Sequence, residues 1–404
     1  MSGERNNNRP HDTLLPGWRW VKLGGICELI MGQSPPGNTY TDKPEGLPFF
    51  QGKADFGEYF PTVRIWCTQP IKIAEDGDIL ISVRAPVGPV NVSNLKCCIG
   101  RGLAAIRCED NVINWFIFWH LRSIEKKVAS LGSGSTFGAI TRNDLVNLEI
   151  PLPPIEEQIR IAAKIQELMQ EVERARTACE KQLEAAKALL AAFLREVFES
   201  EEAKKWERKR LGEVCQINPS RPKNFHRSHD SLTSFVPMAA VDEDIGTISK
   251  PEAMPYSKVA KGYTYFEENN VLFAKITPCM QNGKHVIARN LIDGIGFGTT
   301  EFHVLRPSHE ILPEWVWYFI RQPHFLKEAM AYFTGAVGQQ RVPATFLSNS
   351  IIPLPPVEEQ KRIVASLERK MVHVKNLQSA TQTQQDALNS FPQAILRQAF
   401  NGEL

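Results

Sequence analysis

The sequence lacks a membrane-length apolar run, a metal-binding cysteine pattern and a charge bias of either sign. Its longest apolar stretches, Trp115 to Leu121 and Trp315 to Ile320, fall far short of the ~18 residues that a bilayer span needs. Behind the opening Met-Ser-Gly-Glu-Arg-Asn-Asn-Asn no apolar segment follows, so a soluble, cytoplasmic protein without a secretory leader is expected. Eight cysteines (27, 67, 97, 98, 108, 179, 215 and 279) include no C-x-x-C pair, and reduced thiols are expected. Cys97 and Cys98 would face opposite sides of a strand. His226 and His229 have no third or fourth ligand nearby, which argues against a metal site. The formal charge is +2, from 47 basic and 45 acidic residues. That balance excludes the bulk basic footprint of a small nucleic-acid-binding domain, so any such contact needs a local surface.

Catalytic patterns are equally sparse. No G-x-x-x-x-G-K-[ST] loop is present, so ATP hydrolysis is not expected. The "SPPG" of residues 34–37 resembles an adenine-methyltransferase motif, but Gly37 stands where an aromatic would stack on a flipped base. The "GIGFG" of residues 294–298 lacks the strand–loop–helix context of a methyl-donor loop. Glu156/Glu157 and Glu358/Glu359 are better read as helix-start charges than as acid–base pairs.

What the sequence does contain is itself, twice. Residues 150–163 (IPLPPIEEQIRIAA) and 352–365 (IPLPPVEEQKRIVA) agree at eleven of fourteen positions, at an offset of 202. The offset holds from Ile140/Val342 to Phe198/Phe400, so the block 131–201 recurs as 333–403. The preceding regions are related more weakly and at shifting offsets. "DGDILISVRAP" (76–86) echoes "ENNVLFAKITP" (268–278), and Trp18, Leu23, Gly24 and Cys27 echo Trp206, Leu211, Gly212 and Cys215. Shifting offsets mean loops of changing length on a kept scaffold. The pattern is a duplicated two-part module and not a solenoid.

Each constant block reads as a long helix. Pro153-Pro154 and Pro355-Pro356 mark the starts, followed by paired glutamates that complement the helix dipole. Apolar residues follow at near-heptad spacing: Ile161, Ile165, Leu168, Val172, Ala175 and Cys179, then Leu183, Ala186, Leu190, Leu194 and Val197. The second copy supplies Ile363, Leu367, Val374, Leu377, Leu388 and Ile395. Two such seams in one chain predict a coiled coil between the copies, a rod of roughly 65–70 Å at ~1.5 Å per residue. Pro392 is expected to kink or interrupt the second helix, and Gly402 to stop it. The 404 residues, 43% of them hydrophobic and 23% charged, suffice for two or three cores. The variable regions read as mixed α/β. Strands are expected at Asp78 to Val83, Gly102 to Arg107, Val271 to Ile276 and Phe302 to Leu305, and one apolar helix at Asn114 to Ala129 and at Glu314 to Phe333.

The motif IPLPP(I/V)EEQ-x-RI, present twice and each time opening a long helix after a ~150-residue variable region, resembles the specificity subunit of type I restriction–modification systems. "GSGST" (132–136) and the closing "QAFNGEL" resemble it too. The resemblance covers nearly the whole chain. It implies an α+β fold in which two mixed α/β target recognition domains are separated by two long antiparallel coiled-coil helices, an internal pseudo-two-fold repeat. The expected division is an N-terminal extension (1–13), a first recognition domain (14–150), a spacer helix (151–203), a second recognition domain (204–352) and a second helix (353–404). The implied function is non-catalytic reading of a bipartite double-stranded DNA target, with DNA methyltransferase subunits and restriction–translocation subunits as partners and no membrane. No cofactor is expected in this chain; S-adenosylmethionine and ATP would sit on the partners. The rival expectations are a self-sufficient methyltransferase or nuclease, and a coiled-coil adaptor without DNA binding.

Candidate DNA contacts are polar residues in loop-like stretches of the variable regions, because Arg, Asn and Gln make bidentate base contacts. In the first half they are Gln33, Ser34, Asn38, Tyr40, Gln51, Lys53, Arg84, Ser133, Ser135 and Thr136. In the second they are Asn218, Arg221, Lys223, Asn224, His226, Arg227, Lys275, Thr277, Gln281, Asn282, Lys284, Gln339, Gln340 and Arg341. The basic run from Lys204 to Arg210 reads either as a phosphate-contacting strap or as a solvated linker.

Overall fold

The computed structural model describes residues 14–132, 138–243, 246–249, 251–336 and 339–404. It divides into two units. One joins the chain up to Cys179 with Thr383–Leu404, and the other is Glu180–Gln382. The division passes through both long helices, Ile155–Phe198 and Val357–Asn401.

In the first unit Arg19–Lys22 pairs antiparallel with Glu149–Leu152, tying the start of the domain to the strand that feeds the long helix. An antiparallel four-stranded sheet runs in the order Cys27–Met31, Leu103–Cys108, Ile79–Ser82, Val90–Val92. A five-stranded sheet runs Tyr40–Thr41, Trp66–Cys67, Leu47–Phe50, Cys97–Ile99, Ile73–Ala74, with Leu47–Phe50 and Cys97–Ile99 parallel.

The second unit repeats this plan. Glu207–Arg210 pairs with Ile351–Leu354. Cys215–Ile217, Phe302–Pro307, Val271–Ala274 and His285–Ile287 form the matching antiparallel sheet. Glu252–Pro255, Leu232–Val236, Ile295–Gly298 and Thr264–Glu267 form the other, again with a parallel pair in the middle. The weakly similar stretches 76–86 and 268–278 thus hold the same inner strand, each running into a cis X-Pro bond.

Strand alternation explains the layers. Ile79, Ile81, Ala104 and Ile106 face Phe116 and Ile117 of the helix Asn114–Ser123, while Leu80, Leu103 and Ala105 face Phe50, Cys97 and Ile99 of the other sheet. In the second unit Val271, Phe273 and Leu305 pack on Trp315 and Phe319, and Leu272, Ala274 and Val304 on Val236 and Phe266. The inner strands are covered on both faces, which is why they read as unbroken apolar runs. Cys97 and Cys98 join different clusters and point to opposite faces, as expected. All eight cysteines are free.

The apolar helices differ from the sequence reading. Each is two helices: Asn114–Ser123 with Glu125–Leu131, and Pro313–Ile320 with Pro323–Ala331. Pro323 has no N–H to continue the preceding helix and instead opens the next one. The first break falls at Ile124, which leaves helical torsions at φ −106°, ψ 15°.

The long helices begin just after Pro154 and Pro356, with both glutamate pairs in their first turns. Ile165, Val172, Cys179 and Ala186 are buried at heptad spacing, and so are Leu367, Val374 and Thr381. Met169 is buried where the sequence pointed to Leu168, which is only half-buried. In the first unit Ile161, Ile165 and Met169 share a core with Leu396 and Ala399, and in the second Leu194 and Phe198 share one with Val364 and Leu367. The helices therefore run antiparallel within each unit. Pro392 does not interrupt the second helix, contrary to expectation. Its missing N–H would have bonded the Leu388 carbonyl. That oxygen instead accepts from the Arg176 guanidinium of the first helix at 3.4 Å. Gly402, at φ +77°, ends the helix in a Schellman turn, with Glu403 N–H bonded to Gln398 O at 2.9 Å. Among the described residues no helix is long and apolar enough to cross a membrane.

Candidate nucleic-acid interface

The glutamine of each repeated Glu-Glu-Gln motif ties the start of a long helix to the rest of its unit. Gln158 is buried; its side-chain oxygen accepts the Ile113 N–H at 2.9 Å and its amide donates to Pro153 O at 3.0 Å. Gln360 does the same with Leu312 N–H at 2.9 Å and Pro355 O at 2.8 Å, and also reaches Glu310 O at 3.0 Å. Ile113 and Leu312 are the N-caps of the apolar helices, whose free N–H groups need acceptors. The glutamines thus join helix start to helix start through backbone atoms. Sequence reading missed this role, although the identity of both glutamines within the repeat was visible.

At one end of the first unit's sheets, four loops converge. Gln33 N–H bonds Ile99 O at 3.0 Å, Gly100 N–H bonds Phe50 O at 2.8 Å, and Val83 N–H bonds Gly102 O at 2.9 Å. A Cβ on Gly32 would lie 2.2 Å from Gly100 O, and one on Gly102 would lie 2.3 Å from Gln51 O. Glycine lets the backbones close to this distance. The junction brings together the candidates Gln33, Ser34, Gln51 and Arg84, and with them Arg101, which sequence reading passed over. Gln33, Gln51, Lys53, Arg84 and Arg101 are exposed. The Asp55 carboxylate fixes the Gln51 turn by accepting its N–H at 2.7 Å. Asn38 is exposed in the short turn Gly37–Thr39. Tyr40 is already engaged: its hydroxyl donates to Pro35 O at 2.6 Å and its ring meets Phe49 at 4.7 Å.

The matching end of the second unit gathers Lys275, Thr277, Gln340 and Arg341. Thr277 N–H bonds Gln340 O at 3.0 Å, and Val342 N–H bonds Lys275 O at 2.9 Å. Arg341 makes a two-pronged ion pair with Glu301, both contacts at 2.8 Å, which holds the Glu301 carboxyl below its usual range. A cavity of about 240 Å³ opens beside Lys275, Thr264, Thr300 and His303. His303 Nε2 faces Val342 O at 2.8 Å and so donates there, leaving Nδ1 to accept from Asn218 at 3.0 Å. Burial pushes the pKa of this imidazole down. Gln281 bonds Met330 Sδ at 3.1 Å, and Asn282 and Gln339 are exposed.

Several candidates serve the fold instead of lying free in loops. Arg227 is mostly buried and bonds Thr233 and Asp293, both at 2.8 Å, as well as Leu232 O. Arg221 bonds the Tyr256 hydroxyl at 2.8 Å and Ala260 O at 3.2 Å. Asn218 turns the chain at φ +52°, and Lys284 reaches Val241 O at 3.1 Å. Lys223, Asn224 and His226 remain exposed in the irregular segment 218–230. Ser133, Ser135 and Thr136 lie outside the described residues. The basic run is not a free linker: Glu207–Arg210 is a paired strand, Lys204 meets Glu201 and Lys209 meets Glu310 at 3.0 Å, while Lys205, Arg208 and Arg210 are exposed. Among the described residues no group of three or more His, Cys, Asp or Glu is placed to hold a metal ion.

The type I restriction modification DNA specificity domain matches this chain over residues 16–184 and 203–376. A protein assigned as the MjaX type I restriction enzyme specificity subunit of Methanocaldococcus jannaschii is 47% identical over 180 residues, 44% of this chain and 42% of that protein. The match spans under half the length of that relative. The HsdS subunit from Thermoanaerobacter tengcongensis aligns with a TM-score of 0.64 at 26% identity, covering 98% of this chain and 99% of that one. A chain from work on complex assembly and conformational transition of the type I R-M system aligns at 0.75 and 25% identity, covering 97% and 100%. With a matching domain in each half and the same strand order in the antiparallel sheet of both units, the chain belongs to the type I restriction modification DNA specificity domain family.

Proposed function

We propose that this chain is the non-catalytic sequence-reading subunit of a type I restriction–modification complex, each unit reading one half of a bipartite site in double-stranded DNA. The observation that carries this is a shared frame with unlike edges. The strand order of the antiparallel sheet and the glutamine clamp are the same in both units, while the converging loops carry Ser34, Gln51 and Arg84 in one and Lys275, Thr277 and Arg341 in the other. Duplicated catalytic sites would hold the same reacting groups twice. A reader of two different half-sites keeps the frame and varies the side chains that meet base edges. Contacts to phosphates would set register on the duplex.

The long helices would dock DNA methyltransferase subunits, and restriction–translocation subunits would complete the complex. S-adenosylmethionine and ATP would then be bound by those partners. Methylome sequencing of host cells with and without this chain tests the reading. Loss of one bipartite methylated motif is expected; an unchanged methylome would overturn it. The purified chain alone is expected to transfer no methyl group.

A further inference from the structure

The first unit's junction carries an arginine with no acidic partner. Several arginines of this unit are engaged, Arg107 by Asp78 and Glu28, Arg160 by Glu157, Arg174 by Glu171 and Arg64 by Ala54 O, whereas Arg84 at the same junction is exposed like Arg101. Arg101 is exposed, and no carboxylate pairs with it among the described residues. Its backbone is nevertheless tightly held. Its N–H donates to Ser34 Oγ at 3.2 Å, and its neighbours Gly100 and Gly102 bond Phe50 O and Val83 N–H. A fixed backbone spares the main-chain ordering when such a guanidinium binds an anionic or acceptor-rich surface, so that only the side chain has to be ordered.

The second unit supplies an independent comparison. Val83 N–H bonds Gly102 O, and Lys275 N–H bonds Glu301 O, both at 2.9 Å, so Arg101 and Thr300 occupy matching places. There the cation comes from the facing strand, as Lys275, which makes no ion pair among the described residues. Both junctions therefore present a cation without an ion pair beside the matching backbone bond, Arg101 on one side of it and Lys275 on the other, and in the first unit exposed Lys53 and Arg84 stand near it. Arg101 stands among Gln33, Ser34, Gln51 and Tyr40. Its positive charge opposes the rise that burial imposes on the Tyr40 hydroxyl, which places it near that phenol.

Resting on the recognition function above, we infer that Arg101 binds an acceptor pair of double-stranded DNA, supplied by the N7/O6 edge of a guanine or by two phosphate oxygens. Either geometry suits the planar two-pronged donor of arginine. The test uses the full chain assembled with its methyltransferase subunits, carrying Arg101→Thr or Arg101→Lys. Arg101→Thr installs the residue that the second unit already tolerates at this place, and a thermal melt checks that the fold is kept. A labelled duplex bearing the wild-type motif, titrated at several salt concentrations, is expected to bind Arg101→Thr roughly five- to a hundredfold more weakly. If guanine is the ligand, the loss is confined to duplexes with guanine at one position of the first half-site, and the methylated motif becomes degenerate there. If phosphate is the ligand, the loss is uniform across sequences and the salt slope falls by about one. Unchanged affinity, slope and motif in a folded Arg101→Thr complex would overturn the inference while leaving the recognition function intact. Absence of sequence-dependent binding by the wild-type complex would overturn both, and it would be seen before any substitution.

Discussion

Two buried side chains illustrate how single residues tie function to stability. Gln158, itself buried, satisfies a helix N-terminal N–H and a prolyl carbonyl. Gln158→Leu fills similar volume but orphans both groups, at about 1–3 kcal/mol each. A clear fall in the denaturation midpoint of the first unit is expected, and an unchanged midpoint would contradict the clamp. His120 is fully buried against the Phe400 ring at 4.8 Å, and neither ring nitrogen has a partner among the described residues. Burial pushes its pKa down to about 3. The folded state keeps it neutral, while the unfolded chain takes up a proton below about pH 6.5. Stability is thus complete above that pH and drains away as pH falls towards 3, by roughly 2 kcal/mol at pH 5. Counting seven residues on from each clamped N–H reaches His120 in one unit and Phe319 in the other, and Phe319 packs on Phe198 as His120 does on Phe400. His120→Phe is therefore expected to flatten the acid limb of the stability profile between pH 5 and 6.5. A limb of unchanged slope would refute it. His285, held neutral by burial in the second unit, should retain its own share.

At the scale of elements, the long helices show how a local defect is absorbed by a neighbour. Pro392 has Leu190 as its counterpart in the first copy, and Arg176 has Gln378 in the second, so the proline and the arginine that answers it are unique to one pairing. Pro392→Ala restores the helical N–H to Leu388 O and should stabilise the protein by up to about 3 kcal/mol, the usual cost of a helix-interior proline, less what the arginine contact already recovers. Arg176→Met should cost stability in the parent and little in the Pro392→Ala background. A double-mutant cycle is expected to give a coupling of about 0.5–1.5 kcal/mol. Additive effects would show that the arginine contact to Leu388 contributes nothing.

For the whole molecule, the clamp explains how one constant frame can hold unlike domains. Gln158 and Gln360 grip backbone N–H groups, which every non-proline residue supplies, so the domain sequence is free to vary at the grip. Exchanging residues 14–150 for another variable domain should then change one half of the methylated motif and leave the other intact. Methylome mapping of the exchange decides it, and a change in both halves would defeat the modular reading.

The duplication, the helix starts at Pro154 and Pro356, the Gly402 stop and the inner strands were all legible in the chain, because they rest on local chemistry: proline's missing donor, glycine's positive φ, and apolar periodicity. The third-layer sheets were not, since strands as short as Tyr40–Thr41 or Trp66–Cys67 carry too few residues for a period and exist only through their partners. Nor could sequence separate Arg227, consumed by Asp293, from Arg101, left unpaired: both are arginines in polar loops, and their partners lie 66 residues away in one case and are absent among the described residues in the other. Pro392 shows the same limit, because its carbonyl is rescued from a helix more than two hundred residues earlier. Propensity is a property of the residue and its neighbours in sequence; which donor meets which acceptor depends on long-range packing, and tertiary structure alone decides it.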